Sequence, residues 1–227
     1  MLSQCSDLLL HLAHKALIPD YATHSTFKNP HLTLNCLESL ETNFIGSSIV
    51  PHLTLPRLQT LTLSGRLAPA VESFRALLSR SHFSLQTLSL DTENATVKPE
   101  TFVLFFELFP AVTALRLVVR TSALREFVMA LFSPNTLLAM HTLTVSIERM
   151  REDYDALLDV LRARRANGTL KSFVLTVDAD RDVRAGSIAF PKTAMAQFRD
   201  LAQGGLQVRL QLVGNPWPRV FLDTFKE

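Results

Sequence analysis

A short phrase that recurs at a nearly constant interval constrains the fold of this chain more than any other feature. Residues 58–63 read LQTLTL and residues 85–90 read LQTLSL, with an apolar residue at the first, fourth and sixth positions of each. The same pattern begins again at Val112, Met140 and Leu170. Repetition at on the order of 20–50 residues is typical of chains built from stacked units, because one such unit cannot bury its apolar side alone.

Each repeated phrase has the alternation of a short strand, and segments with helical spacing lie between the phrases. These segments are VESFRALLSR, ETFVLFFELF, ALREFVMALF, DYDALLDVLRARR and AMAQFRDLA. Leu37 and Leu40 form a weaker copy of the phrase, and LQVRLQL at 206–212 alternates like a further strand beyond a longer insert. The pattern predicts an α/β solenoid of six or seven units, in which a curved parallel sheet lies inside a layer of helices.

The domain organisation expected from this pattern is a single array over residues 1–227. The clearest repeats span 37–180, and residues 181–227 are expected to form an irregular last repeat and a cap. Trp217, Phe221, Leu222 and Phe225 supply the apolar surface that would cover the open end of the array. A peptide-binding motif is the alternative interpretation of these four residues.

The spacing and the LxxLxL phrase resemble those of leucine-rich repeats. Over residues 30–180, the phrases HLTLP at 52–56 and LLSRS at 77–81 more narrowly resemble the leucine-rich-repeat region of the F-box-like proteins of mushroom-forming fungi. In that family an F-box segment docks on the adaptor of a cullin-type ubiquitin ligase, and the repeats are thought to capture the target. No F-box motif is found in this chain; LIPD at 17–20 is the nearest phrase.

Alternation within the strands defines a candidate binding strip. The leucines are expected to point into the core, and the residues between them to lie on the open face of the sheet. The strip consists of Thr60, Thr62, Ser64, Thr87, Ser89, Asp91, Ala114, Arg116, Val118, Thr142, Thr144, Ser146, Ser172, Val174 and Thr176. Hydroxyl residues also simply suit a solvated sheet face. If the strip binds a partner, Asp91 and Arg116 are the charges expected to discriminate among partners.

The region from Glu148 to Arg165 has acids early and bases late, a pattern that suits the dipole of a helix. It predicts a solvated outer helix, with a basic docking patch at Arg162, Arg164 and Arg165 as the alternative. The formal net charge of +2 argues against a nucleic-acid-binding protein.

The remaining features exclude several classes of function. Cys5 and Cys36 have neither metal-ligand nor redox spacing, which suggests a reducing intracellular compartment, cytoplasmic or nuclear. The apolar stretch near the N-terminus is too short for a membrane span. The chain has no glycine-rich phosphate loop, G-x-S-x-G or HExxH phrase, and we expect no cofactor or bound metal. Ser79, Ser81 and His82 lie together in sequence without an orienting acid, so we expect no enzyme.

Three hypotheses about function remain open. The first is a protein-interaction module, specifically the target-recognition part of an F-box-like ubiquitin-ligase receptor. It would contact the ligase adaptor only if an F-box precedes this sequence, and its protein targets are unknown. The second is a free-standing leucine-rich-repeat scaffold or regulatory protein with no link to a ligase. The third, which the residues favour least, is a hydrolase that uses a serine or a histidine.

Overall fold

The computed structural model describes residues 31–43, 50–65, 70–92, 98–119, 121–133, 135–147, 154–178, 190–213 and 219–223. The strands are β1 (Leu32–Thr33), β2 (Ser39–Asn43), β3 (Leu53–Thr54), β4 (Thr60–Ser64), β5 (Thr87–Thr92), β6 (Ala114–Val119), β7 (Thr142–Ile147), β8 (Ser172–Asp178), β9 (Gln207–Val213) and β10 (Arg219–Asp223). A short 3-10 helix, Val50–His52, precedes β3.

The main sheet has eight strands in the order β10-β9-β8-β7-β6-β5-β4-β2. Of the described strands in this sheet, β2 and β4 to β9 are parallel. β2 pairs with β4, and from β4 to β9 each strand pairs with the next along the chain. β10 pairs antiparallel with β9. β1 and β3 form a separate parallel pair. The α/β class predicted from the sequence is confirmed, and both the weak copy at Leu37–Leu40 and the LQVRLQL segment supply strands of the sheet.

All five segments with helical spacing are helices. They are α1 (Ala70–Ser81), α2 (Pro99–Glu107), α3 (Thr121–Leu131), α4 (Tyr154–Ala166) and α5 (Lys192–Gln203). Pro99 begins α2, the position at which the missing N–H of proline costs nothing. Each helix follows a strand and packs against the neighbouring helix.

The core lies between the sheet and the helices. Alternate strand residues, such as Leu61 and Leu63, are fully buried in the same apolar cluster as Phe74 of α1. Aromatic rings bridge adjacent helices: Phe74 meets Phe105 edge-on, with 5.8 Å between ring centroids. The helices of the described residues cover one face of the sheet, and the alternate strand residues of its other face are half-buried or exposed.

The C-terminal cap can be compared with the structure only in part. β10 contains Phe221 and Leu222, and its backbone extends the sheet beyond β9. Trp217 and Phe225 lie outside the described residues. Within the described residues, no helix combines the length and the apolar character needed to cross a membrane.

Candidate interaction face

The strand register places the predicted strip on one surface, here called the open face, in three rows that cross the strands. The first row contains Thr60, Thr87, Ala114, Thr142 and Ser172. The central row contains Thr62, Ser89, Arg116, Thr144 and Val174. The third row contains Ser64, Asp91, Val118, Ser146 and Thr176. All predicted residues therefore lie together, and the pairing from β4 to β8 has no register slip.

The surroundings of each side chain determine its exposure on this face. Most of the predicted residues are half-buried, because neighbouring strands about 4.8 Å apart cover short side chains from both sides. Arg116 is exposed, since its long side chain extends beyond Ser89 and Thr144, its neighbours in the row. The open face is therefore rich in hydroxyl groups, and the guanidinium group of Arg116 is more exposed than they are.

The open face is wider than the sequence analysis predicted. β2 adds Ser39, Glu41 and Asn43 to the first, central and third rows, respectively. At the other side, β9 adds Gln207, Arg209 and Gln211 in the same order. The phrases that form these two strands could be recognised in the sequence. The places of their residues in the three rows were missed because the weak first copy and the insert before β9 left the register of both strands unfixed.

The extended central row contains three charged residues, Glu41, Arg116 and Arg209, each exposed and three strands from the next. At about 4.8 Å per strand, the backbones of Glu41 and Arg116 are about 14 Å apart. Within the described part of the chain, neither of these two side chains makes a hydrogen bond or an ion pair. Asp91 lies one strand from Arg116, two positions along and in the third row. Asp91 itself is half-buried, and its backbone carbonyl accepts a hydrogen bond of 2.8 Å from Gly65.

The two phrases that carry the family resemblance contact each other. The buried hydroxyl of Ser81, in LLSRS, accepts a hydrogen bond of 2.9 Å from the backbone N–H of Leu55, in HLTLP. Arg80 donates from Nη2 to the carbonyl of Leu53 at 3.1 Å. The hydrogen bonds of these two side chains link the end of α1 to the segment that precedes β4. The residues of both phrases named here therefore have a structural role.

The prediction of a solvated outer helix is wrong for Arg164 of α4. Its side chain is buried, and only 5% of the residue surface is exposed. Both Nε (3.2 Å) and Nη2 (2.7 Å) donate to the carbonyl of Leu131, the last residue of α3. Nη2 also contacts the carbonyl of Ser133 at 3.3 Å and the hydroxyl of Thr136 at 3.1 Å. Burial lowers the pKa of the guanidinium group.

Arg164 therefore caps the C-terminus of the preceding helix, where carbonyl groups lack partners within the helix and the dipole is negative. It cannot belong to a basic docking patch. Arg162 behaves as predicted, because it is exposed and bonds to Asp159 at 2.8 Å and to Gln197 of α5 at 2.9 Å. Glu148, Glu152 and Asp153 lie outside the described residues.

The serine and histidine side chains considered for catalysis have other surroundings. The Ser79 hydroxyl is exposed and donates to the carbonyl of Ala76 at 2.9 Å. The Ser81 hydroxyl is buried and engaged by Leu55. His82 is exposed at the end of α1, with a positive φ of 49°. Among the described residues, no three His, Cys, Asp or Glu side chains are grouped so that they could hold a metal ion.

Comparison of the chain with protein-family models, with curated proteins and with solved structures gave no match.

Proposed function

We propose that this chain is a leucine-rich-repeat solenoid that acts as a protein-interaction module, with the open face as its binding surface. The observation that carries the proposal is the continuity of that face. Its three rows cross seven parallel strands, and the helices of the described residues cover the opposite side of the sheet. Sheet faces of this kind, formed by stacked repeats, are extended binding surfaces.

The composition of the open face suits a protein partner. Its hydroxyl groups can donate and accept hydrogen bonds, and its exposed charges provide the electrostatic complementarity that selects partners. The narrower proposal is that the module recognises the target of an F-box-like ubiquitin-ligase receptor. Its support is the resemblance of the HLTLP and LLSRS phrases, which contact each other through Ser81 and Arg80.

The experiment that tests the interaction module compares a variant that blocks the open face with a matched variant on the helical side. Thr144→Arg places a long side chain in the central row. Met129→Arg introduces the same side chain on α3, where Met129 is 52% exposed. Each protein is fused to a proximity-labelling enzyme in cells, and candidate partners are then tested with purified chains. Partners of the open face are lost with Thr144→Arg and retained with Met129→Arg.

The double variant Asp91→Ala/Arg116→Ala tests the two predicted charges, and we expect it to weaken the same associations. If every association survives Thr144→Arg, the open face is not the binding surface. The ligase link is tested separately, by full-length sequencing of the transcript and by binding of the encoded protein to the purified ligase adaptor. Absence of adaptor binding would favour the free-standing scaffold.

A further inference from the structure

The polarity of the central row allows the partner of the open face to be described more closely. Glu41 and Arg116 are exposed, opposite in charge and unpaired within the described residues. Thr62 and Ser89, which are neutral, occupy the two strands between them. At physiological ionic strength the Debye length is about 8 Å, so exposed charges on strands about 14 Å apart scarcely neutralise each other. In the central row a ligand therefore meets two separate charges of opposite sign. Asp91, in the third row, lies diagonally from Arg116 and has an interaction of its own.

We propose that the open face binds an extended protein segment with one acidic and one basic side chain four residues apart. The acidic side chain contacts Arg116, and the basic side chain contacts Glu41. This inference rests on the proposed function, because it specifies the partner of the same face. An extended chain rises about 3.4 Å per residue, so residues i and i+4 are about 14 Å apart and point to the same side.

A helical segment does not fit the two charges equally well. A helix rises about 1.5 Å per residue, so a separation of 14 Å corresponds to nine or ten residues. At 3.6 residues per turn, side chains nine or ten residues apart point in different directions, about 80–180° from each other. The spacing of Glu41 and Arg116 therefore selects an extended segment that crosses the strands along the central row.

The surroundings of Arg116 favour a carboxylate over a phosphate. One guanidinium group pairs with one carboxylate through two parallel hydrogen bonds. The hydroxyls of Ser89 and Thr144 flank Arg116 in the row and can donate to the remaining lone pairs. Phosphate recognition typically uses a cluster of arginines. The next arginine of the row, Arg209, is three strands away, about 14 Å.

The test is a selection of random twelve-residue peptides displayed on phage against the immobilised full chain. We expect the wild-type protein to enrich peptides with an acid and a base four residues apart. Arg116→Glu should weaken the binding of these peptides by about tenfold, because it replaces an ion pair worth up to about fivefold with repulsion. The same variant should instead enrich peptides with two bases four residues apart. The control Arg162→Glu reverses an exposed charge of α4 and should leave the selected peptides unchanged.

The blocking variant Thr144→Arg separates the two proposals. One outcome is that Thr144→Arg abolishes peptide binding while Arg116→Glu and Glu41→Lys leave it unchanged. In that case the open face binds extended segments, but the assignment of the two charges is overturned. If no selected peptide is sensitive to Thr144→Arg, the proposed function is itself contradicted. Enrichment of peptides without the four-residue spacing, or tighter binding after a phosphoserine replaces the acid, would also overturn the assignment.

Discussion

Replacement of Arg164 by alanine is expected to destabilise the fold by at least about 1.5–3 kcal/mol, because it removes hydrogen bonds from a charged donor to buried carbonyl groups. The estimate follows from the contacts of the side chain. Its two donors to the carbonyl of Leu131 measure 2.7 and 3.2 Å, and further contacts reach Ser133 and Thr136. A hydrogen bond from a charged donor contributes about 1.5–3 kcal/mol. The variant also leaves the C-terminal carbonyl groups of α3 buried without these donors.

Arg162→Ala is the matched control, because it removes the same side chain two residues earlier in the same helix. Its ion pair with Asp159 is exposed, so the expected loss is below about 1 kcal/mol. Arg164→Lys should fall between the two, since an ammonium group cannot reproduce the fork that serves Leu131. Urea denaturation followed by far-ultraviolet circular dichroism measures the free energy of unfolding. If Arg164→Ala costs no more than Arg162→Ala, the capping role assigned to Arg164 is refuted.

Two further predictions concern buried hydroxyl groups. The Tyr154 hydroxyl is buried without a hydrogen-bond partner among the described residues, so Tyr154→Phe should be neutral or stabilising by up to about 1 kcal/mol in urea denaturation. Burial also raises the pKa of Tyr154, so above about pH 10 the unfolded state loses this proton first. Wild-type stability should therefore fall with pH by up to about 1.4 kcal/mol per unit more than that of Tyr154→Phe; parallel curves would contradict this. Ser81→Ala should cost about 1–3 kcal/mol because it leaves the N–H of Leu55 unsatisfied, whereas the exposed Ser79→Ala should cost less than about 0.5 kcal/mol. Equal losses of thermal stability in these two serine variants would argue against the buried bond.

The positions of the strands could be predicted because every repeat carries the same local signal. The leucines at 58, 61 and 63 recur with nearly equal spacing, and equal units stacked side by side place equal positions opposite each other. The register of the open face from β4 to β8 follows from this repetition alone. It could not be extended with the same certainty to Glu41 or Arg209, because the spacing changes at both ends of the repeats.

The environment of Arg164 could not be predicted, because local sequence does not distinguish it from its neighbours. In RARR, residues 162–165, three arginines occupy four consecutive positions. Helical spacing gives the relative directions of the three side chains. Only the packing of α4 on α3 shows that the side chain of Arg164 reaches the carbonyl of Leu131. The hydrogen bond from the N–H of Leu55 to the hydroxyl of Ser81 could not be predicted either, because it joins residues 26 positions apart.

The sequence by itself determined the α/β class, the strand and helix segments and the residues that share the open face. These depend on hydrophobic periodicity, which acts within one unit and is repeated in the next. The tertiary structure decided which polar side chains are buried, how far the open face extends and which charged residues share its central row. These depend on contacts between residues distant in the chain, for which the local pattern carries no signal.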